Sequence, residues 1–220
     1  MIELKNVTKT YNKGKKNEYT ALRGVDLKIE DGEFIAITGT SGAGKSTLLY
    51  VLSGIDTYEG GSCMLDGVEL NTLGDVKLSK IRNKTIGFVM QDFALVEDFS
   101  VLENVMLPLQ FTKMSGKKKK ELVKEAIKKV DIEELTNKQV NQLSGGQKQR
   151  TAIARAIVNS PNYIFADEPT GALDSNTSRE IMNLFEKLNE AGQTILIVTH
   201  DPEVAGRCKR RIQIEDGKIV

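Results

Sequence analysis

Nine consecutive residues near the start of the chain have the composition and spacing of a phosphate-binding loop. They are Gly39, Thr40, Ser41, Gly42, Ala43, Gly44, Lys45, Ser46 and Thr47, which follow the P-loop spacing G-x-x-x-x-G-K-[S/T]. Glycines let backbone N–H groups approach an anion closely, and the positive end of a following helix adds to the attraction. Lys45 is therefore predicted to reach the β- and γ-phosphates of a nucleotide, and the Ser46 hydroxyl to ligate Mg²⁺.

The segments on either side of this loop support the same interpretation. Residues 34–38 form an apolar, β-prone run, and residues 48–52 continue a helix. A strand, a loop and a helix in that order are the context that a P-loop requires, so a chance glycine-rich turn is the weaker alternative.

Polar side chains follow three further apolar runs that we predict to be buried strands. Gln91 follows residues 86–90, the pair Asp167 and Glu168 follows residues 162–166, and His200 follows residues 194–199. Open α/β sheets bind ligands at the carboxyl ends of their parallel strands. This placement suits Asp167 as a Mg²⁺ ligand and Glu168 as a proton acceptor from water. A lone histidine is often structural, but beside these groups His200 is better explained as a donor to phosphate or water.

The segment before the P-loop predicts a small antiparallel sheet. Residues 2–7 and 25–29 alternate apolar and polar side chains, as half-buried strands do. Tyr11 lies between these two stretches, and its residue type alone favours packing over a role as a ligand platform.

Residues 92–143 have a different character, which predicts an inserted helical subdomain. Helical periodicity is clear over residues 117–130, and no strand pattern occurs in the block. The run from Lys117 to Lys120 is interpreted as the solvated start of this helix, with a membrane-surface role as the weaker alternative.

An apolar cluster opens this block directly after Gln91. It consists of Phe93, Leu95, Phe99, Val101 and Leu102. Internal packing and a groove for a helix of a membrane partner explain it equally well.

The block closes on Leu143, and the next four residues form a second candidate anion site. Ser144, Gly145, Gly146 and Gln147 precede a helix rich in Ala, Ile and Arg. Free N–H groups and a hydroxyl at a helix start can hold an anion, although a plain helix cap uses the same residues.

The totals exclude several classes of function. The formal net charge of +1 over 220 residues gives no bulk electrostatic attraction for nucleic acid. Cys63 and Cys208 match no metal or redox spacing, so they are expected to be reduced thiols of a cytosolic protein. No secretory signal and no apolar run of about 20 residues occurs, so any membrane role is expected to come through a partner.

Taken together, the motifs resemble the ATP-binding subunit of an ATP-binding-cassette (ABC) transporter. The P-loop, the Leu143–Gln147 signature and the strand ending in Asp167 and Glu168 occur in the order of that family. The resemblance covers the whole chain and implies one nucleotide-binding domain, residues 1–220, of the P-loop α/β fold. Its mainly parallel, helix-flanked sheet core and antiparallel β subdomain would take about residues 1–91 and 144–220, with about 92–143 as the helical subdomain.

The resemblance also assigns roles in Mg²⁺-dependent ATP hydrolysis. It implies that Tyr11 stacks on adenine, which reverses the packing interpretation, and that Gln91 touches Mg²⁺ and the attacking water. Asp167 would be the Walker B carboxylate, Glu168 the general base, and His200 the switch histidine. Asp174 would belong to the D-loop, while the signature residues Ser144 to Gln147 would contact ATP bound to the opposite subunit.

The same family implies the partners. Two copies would sandwich two ATP molecules as an ATP-induced homodimer, bound peripherally to an integral membrane permease at the cytoplasmic face. Finer similarity points to the lipoprotein-release, macrolide-export and antimicrobial-peptide-resistance group, with a transmembrane-signalling ATPase of the cell-division type as the alternative. Thr40, Ala43 and Lys148 depart from that group's usual residues without removing a phosphate or metal contact. A small-molecule kinase would have no use for the signature, and a DNA-repair ATPase would need a long coiled-coil insertion that is missing here.

Overall fold

The structure, a computed structural model, describes residues 1–220. In chain order its elements are β1 (Ile2–Tyr11), β2 (Tyr19–Ile29), β3 (Phe34–Thr38), α1 (Lys45–Leu52), β4 (Gly60–Leu65), β5 (Val68–Glu69), α2 (Asp75–Thr85), β6 (Ile86–Val89), α3 (Val101–Gln110), α4 (Gly116–Lys129), α5 (Gly145–Ile157), β7 (Tyr163–Asp167), α6 (Ser175–Glu190), β8 (Thr194–Val198), α7 (Pro202–Arg207), β9 (Arg210–Glu215) and β10 (Lys218–Ile219). The chain divides into two compact units, one of residues 1–82 and 194–220 and one of residues 83–193.

An antiparallel sheet forms the start of the first unit, as the alternating pattern predicts. Strand β1 lies between β2 and β4, and β5 pairs with β4. Alternate side chains of β1, such as Ile2 and Leu4, are buried, so one face of the sheet packs into the core. Cys63 lies opposite Leu4 in this core, and burial raises the pKa of its thiol to about 12.

The first unit also contains a parallel group of strands that carries two predicted site segments. Strand β3 is parallel to both β8 and β9, and β10 runs antiparallel to β9. All five residues of β3 and of β8 are buried, which explains their continuous apolar sequences. Ile37 pairs with Val198, so the P-loop after β3 and His200 after β8 leave the sheet at the same edge.

The second unit repeats this arrangement with a different pair of strands. Strands β6 and β7 are parallel, and Val89 pairs with Ala166. Gln91 therefore follows β6, and Asp167 and Glu168 lie at and directly after the end of β7, at one common edge. Helix α5 packs on β6, and α3 and α4 pack on α5.

Local sequence signals account for most of the helix boundaries in the second unit. Ser100 caps α3 in a reciprocal pair with Glu103, and hydrogen bonds from Ser100 lower the pKa of the Glu103 carboxyl. Helix α4 begins at Gly116, and its run of lysines is largely solvent-exposed, as predicted. None of the helices is both long enough and apolar enough to cross a membrane.

Strand β7 depends on aromatic packing, which gives a test of the core. Phe165 is fully buried, with ring centroids 6.5 Å from Tyr163 and 6.4 Å from Phe88. We expect Phe165→Ala to lower the free energy of unfolding by about 3–5 kcal/mol, because the residual cavity adds to the lost transfer energy. Phe111 is 84% exposed, so Phe111→Ala is the matched control and should change stability by less than about 0.5 kcal/mol. Denaturant titration measures both values, and equal losses would contradict the packing described here.

Candidate functional site

The P-loop in the first unit has the backbone of an anion cradle. Gly44 has a φ of 105° at the start of α1, and a side chain there would collide with the carbonyl oxygen of Ala21. Only glycine fits both the left-handed conformation and the close approach of β2. The loop therefore feeds directly into the N-terminus of α1, where the first N–H groups of a helix attract anions.

Lys45 lies across the mouth of this loop. Its ammonium group donates hydrogen bonds to the carbonyl oxygens of Gly39, at 2.9 Å, and Thr40, at 2.8 Å. The outer side of the loop is braced by Tyr19, whose hydroxyl donates to the Gly42 carbonyl. Neutral carbonyls are weak partners for an ammonium group, so a phosphate oxygen can replace them with a stronger, charge-assisted bond.

His200 lies beside the P-loop in the same unit. Gly39, Thr40 and His200 line one cavity of about 260 Å³, together with Thr38 and Arg211. The turn after His200 is fixed, since Asp201 caps α7 and its N–H donates to the Thr199 hydroxyl at 3.0 Å. The structure thus brings His200 and the P-loop together, while their roles in catalysis stay predictions.

The hydroxyl of Tyr11 has two polar neighbours. Its hydroxyl donates to Asp56 Oδ2 at 2.7 Å and lies 3.4 Å from the Thr47 hydroxyl of the P-loop stretch. The aromatic ring is only partly buried. This position suits a platform for a base next to a phosphate site, and the role stays a prediction.

In the second unit, Gln91 and Glu168 flank the same glycine. A Cβ placed on Gly171 would lie 3.2 Å from the Gln91 side-chain nitrogen and 3.6 Å from Glu168 Cβ. Glu168 itself has a φ of 47°, a left-handed conformation that costs a residue other than glycine about 1–2 kcal/mol. Such strained residues cluster at functional sites, which agrees with the role predicted for Glu168.

Two polar residues of α5 hold these segments, and the motif analysis missed both. Gln149 is fully buried, and its amide nitrogen donates to the Pro169 carbonyl, directly after Glu168, at 2.7 Å. Arg155 donates to the carbonyls of Phe93 and Ala94, two adjacent left-handed residues just after Gln91. Both residues could have been found from the sequence, because each is a polar residue at a position that the apolar pattern of α5 assigns to the core.

Arg155 and Gln149 both lie in environments that are unfavourable for polar side chains. Burial lowers the pKa of the Arg155 guanidinium, and the nearby Asp92 carboxylate opposes that shift. The Oε1 atom of Gln149 is buried without a hydrogen-bond partner, which is a cost that natural structures rarely accept. Both side chains therefore make their hydrogen bonds to loop backbone in a buried environment that disfavours unpaired polar groups.

The signature residues form the capped start of α5. The Ser144 hydroxyl accepts from the Gln147 N–H at 3.4 Å, and the Ser144 N–H donates to Gln147 Oε1 at 3.0 Å. The helix-cap interpretation is thus what the structure shows in this chain, and contact with ATP of a second subunit stays a prediction. Asp174 caps α6 in a similar way, and the hydrogen bond from the Thr177 hydroxyl, with others from backbone N–H groups, lowers the pKa of its carboxyl.

No group of three or more His, Cys, Asp or Glu residues in the chain could hold a metal ion by itself. The donors predicted for Mg²⁺ are a hydroxyl, an amide and one carboxylate, from Ser46, Gln91 and Asp167. Mg²⁺ commonly binds through one or two protein ligands, with substrate phosphates and water completing its shell. The donor set is thus chemically suited to Mg²⁺ arriving with a nucleotide.

This combination of fold and motifs defines a known class of protein. Residues 22–171 match the ABC transporter family, and the chain therefore belongs to that family. It is an ATP-binding subunit of the ABC transporter type and an ATPase, with the α/β fold predicted from its sequence.

Particular relatives match over nearly the whole chain. The ABC transporter ATP-binding protein MJ0796 of Methanocaldococcus jannaschii is 49% identical, with 100% of this chain and 95% of the relative covered. A solved dimeric, post-hydrolysis structure of MJ0796 bound to ADP and Pi has a TM-score of 0.91 at 46% identity, covering 100% of this chain and 96% of that chain. The bacitracin export ATP-binding protein BceA of Halalkalibacterium halodurans is 43% identical over 100% of this chain and 87% of its own length. The lipoprotein-releasing system ATP-binding protein LolD of Leptospira interrogans is 43% identical over 90% of this chain and 84% of its own length.

The contact between the signature and α6 yields a stability test. A Cβ on Gly146 would lie 2.6 Å from Thr177 Cγ2, and Thr177 cannot rotate away without losing its bond to Asp174. We expect Gly146→Ala to lower the free energy of unfolding by about 1–3 kcal/mol through overpacking. Thr177→Ser removes the blocking methyl group and should restore most of that loss in the double variant.

Gly145→Ala is the matched control for this test. Its added Cβ would meet only Leu173 Cδ2, at an ordinary 3.4 Å. Denaturant titration of the four variants measures the coupling between Gly146 and Thr177. A loss in Gly146→Ala that Thr177→Ser leaves unchanged would count against this contact as the cause.

Proposed function

We propose that this chain is the ATPase subunit of a membrane export system. It would power export or extraction of an amphipathic substrate, such as an antimicrobial peptide, a macrolide or a lipoprotein, through a partner permease. The observation that carries this proposal is similarity over at least 90% of this chain to proteins named for bacitracin export and for lipoprotein release. In this arrangement the chain is a peripheral subunit at the cytoplasmic face, and the permease provides the path across the membrane.

Nucleotide binding is assigned to residues of the first unit. The P-loop N–H groups and the start of α1 hold the phosphates, and Lys45 moves from its carbonyl partners to the β- and γ-phosphates. Tyr11 stacks on the adenine. When bound, Mg²⁺ would be held on the protein side by Ser46, Asp167 and Gln91, and it would neutralise negative charge on the phosphates.

Hydrolysis is assigned to the residues that follow the parallel strands. Glu168 accepts the proton of the attacking water, and Gln91 orients that water. His200 donates a hydrogen bond to a γ-phosphate oxygen, one of the equatorial oxygens over which the charge of the transferred group is spread in the transition state. The left-handed backbone of Glu168 supports this assignment, because strained residues of this kind cluster at active sites.

The cycle requires a second cassette, and we assign that role to another copy of this chain. Ser144, Gly145, Gly146 and Gln147 of one copy contact the γ-phosphate held by the P-loop of the other. Asp174, which follows Ala172 and Leu173, would lie in the D-loop of the same interface. The γ-phosphate is then the contact that differs between open and closed dimers, so hydrolysis couples to opening.

The role of Glu168 can be tested directly. Glu168→Gln keeps the shape of the side chain but cannot accept a proton, so hydrolysis should fall by about 100-fold or more. ATP binding and ATP-induced dimerisation should persist, as measured by calorimetry and size-exclusion chromatography. Glu190→Gln, at the exposed end of α6, is the matched control and should hydrolyse ATP at the wild-type rate. A Glu168→Gln chain that hydrolyses ATP normally would remove Glu168 from this role.

The permease is proposed to contact the apolar cluster after Gln91, at the start of the helical subdomain that we place at about residues 92–143. The members of this cluster differ in solvent exposure: Val101 is fully buried, whereas Phe99 is 38% exposed. Internal packing thus explains Val101, whereas Phe99 is available to a short helix of the permease.

A matched pair of charge substitutions tests this surface. In the wild-type background, Phe99→Glu should leave basal hydrolysis intact. A tagged Glu168→Gln chain, incubated with ATP and native membranes, should capture the permease, and adding Phe99→Glu to that chain should abolish the capture. Val101→Glu should unfold the chain instead, because a buried unpaired charge costs several kcal/mol, on the order of 3–5. A captured permease with few spans and a large outer domain supports the exporter assignment. A many-span permease with a binding protein would contradict it, and normal capture by Phe99→Glu would exclude this surface.

A further inference from the structure

Lys9 is a buried lysine whose presence the antiparallel sheet does not explain. It lies on β1 on the same face as the core residue Val7 and is 6% exposed. Lysine is almost never buried without a partner, and an apolar residue at such a position would be at least as stabilising. The side chain must therefore serve a specific contact.

That contact is with the aromatic platform assigned to the adenine. The Lys9 ammonium lies 4.9 Å from the centroid of the Tyr11 ring, over its face, in cation–π geometry. It also pairs with Asp56 Oδ1 at 2.8 Å, and Glu59 lies 3.9 Å away. The cation is thus fixed on one face of the ring by a carboxylate.

Asp56 connects this cation to the ring itself. One carboxylate oxygen accepts from Lys9, and the other accepts from the Tyr11 hydroxyl at 2.7 Å. The Thr57 N–H donates to the first oxygen as well, and the Asp56 N–H donates to the Tyr50 carbonyl. Burial alone would raise the pKa of Asp56, but the hydrogen bonds from Lys9, Tyr11 and Thr57 outweigh it and lower that pKa. The carboxylate therefore stays ionised and keeps both partners at neutral pH.

The ring is also tied to the phosphate site. The Tyr11 hydroxyl lies 3.4 Å from the hydroxyl of Thr47, which sits in the first turn of α1. Tyr50, which receives the Asp56 N–H, belongs to the same helix. The ring, the carboxylate and the P-loop helix thus form one frame in which the distance between base and phosphate positions is set.

We infer that Lys9 and Asp56 are positioning residues for the adenine of ATP, which hold the partly exposed Tyr11 ring, with the Lys9 ammonium over one face, in a fixed orientation for the base. This inference rests on the proposed nucleotide-binding role and adds two residues to it. Both residues are assigned to act through the Tyr11 ring and not through direct contact with the nucleotide. Their effect is to remove the rotamer freedom of Tyr11 before binding, so that stacking on the base requires no further ordering.

The test compares a ligand that has a base with one that lacks it. Affinities for Mg²⁺–ATP and for Mg²⁺–tripolyphosphate are measured on the full chain by calorimetry. Lys9→Met/Asp56→Asn removes both charges together, so that no unpaired charge is left buried. Tyr11→Phe removes only the hydroxyl anchor, and Tyr11→Ala removes the platform.

We expect affinity for ATP to fall about tenfold or more in Tyr11→Ala and about threefold to tenfold in the other two variants, given the usual strength of base stacking. Affinity for tripolyphosphate should stay unchanged in all three. Lys28→Met is the matched control, because Lys28 lies on β2 of the same sheet and pairs with Glu30 but is exposed, and both affinities should stay at the wild-type values.

The other outcomes overturn either this inference or the proposed function on which it rests. An unchanged ratio of the two affinities in Lys9→Met/Asp56→Asn and Tyr11→Phe would show that these residues do not position the base. An equal loss for both ligands would show a merely structural role. If the ratio of the affinities for ATP and tripolyphosphate falls only in Tyr11→Ala, Tyr11 contacts the base but Lys9 and Asp56 do not position it. Failure of the wild-type chain to bind ATP would contradict the proposed function itself.

Discussion

The pairing of parallel strands determines where the chemistry of this protein can occur. Ile37 beside Val198 and Val89 beside Ala166 fix two registers, one in each compact unit. Because parallel strands point the same way, the polar residues that follow each pair leave the sheet at one edge. A shift of either register by one residue would displace the loops at the strand ends relative to one another.

Fixed registers alone do not orient the loops, which use short polar contacts to backbone atoms. Lys45, Gln149 and Arg155 each donate to carbonyl oxygens of a functional segment. Caps at Ser144 and Asp174 fix the helices that begin beside those segments. These hydrogen bonds end on backbone carbonyl oxygens, and that backbone cannot move without shifting a strand or a helix. A substitution that changes the size or charge of one of these side chains is therefore expected to be poorly tolerated.

Local signals in the sequence were sufficient for the elements that carry the motifs. The apolar runs of β3, β7 and β8, the glycine spacing of the P-loop and the alternation in β1 each predict an element that the structure contains. Helix α2 was not predicted, because it buries no residue and so has no apolar face to detect. The partners of Gln149, Arg155 and Lys9 could not be predicted either. Each contact joins segments up to 62 residues apart, and the identity of the partner depends on tertiary packing.

Cys63 gives the first unit a built-in reporter of its own opening. With a pKa near 12 and no exposure, the thiol is almost never a thiolate at neutral pH and is closed to reagents in the folded chain. Its sulfur lies near the carbonyl of Val51 at the end of α1, so alkylation requires separation of the sheet from the P-loop helix. The labelling rate of this one thiol therefore measures the local opening equilibrium, and a ligand that binds the closed P-loop will slow it in proportion to its occupancy.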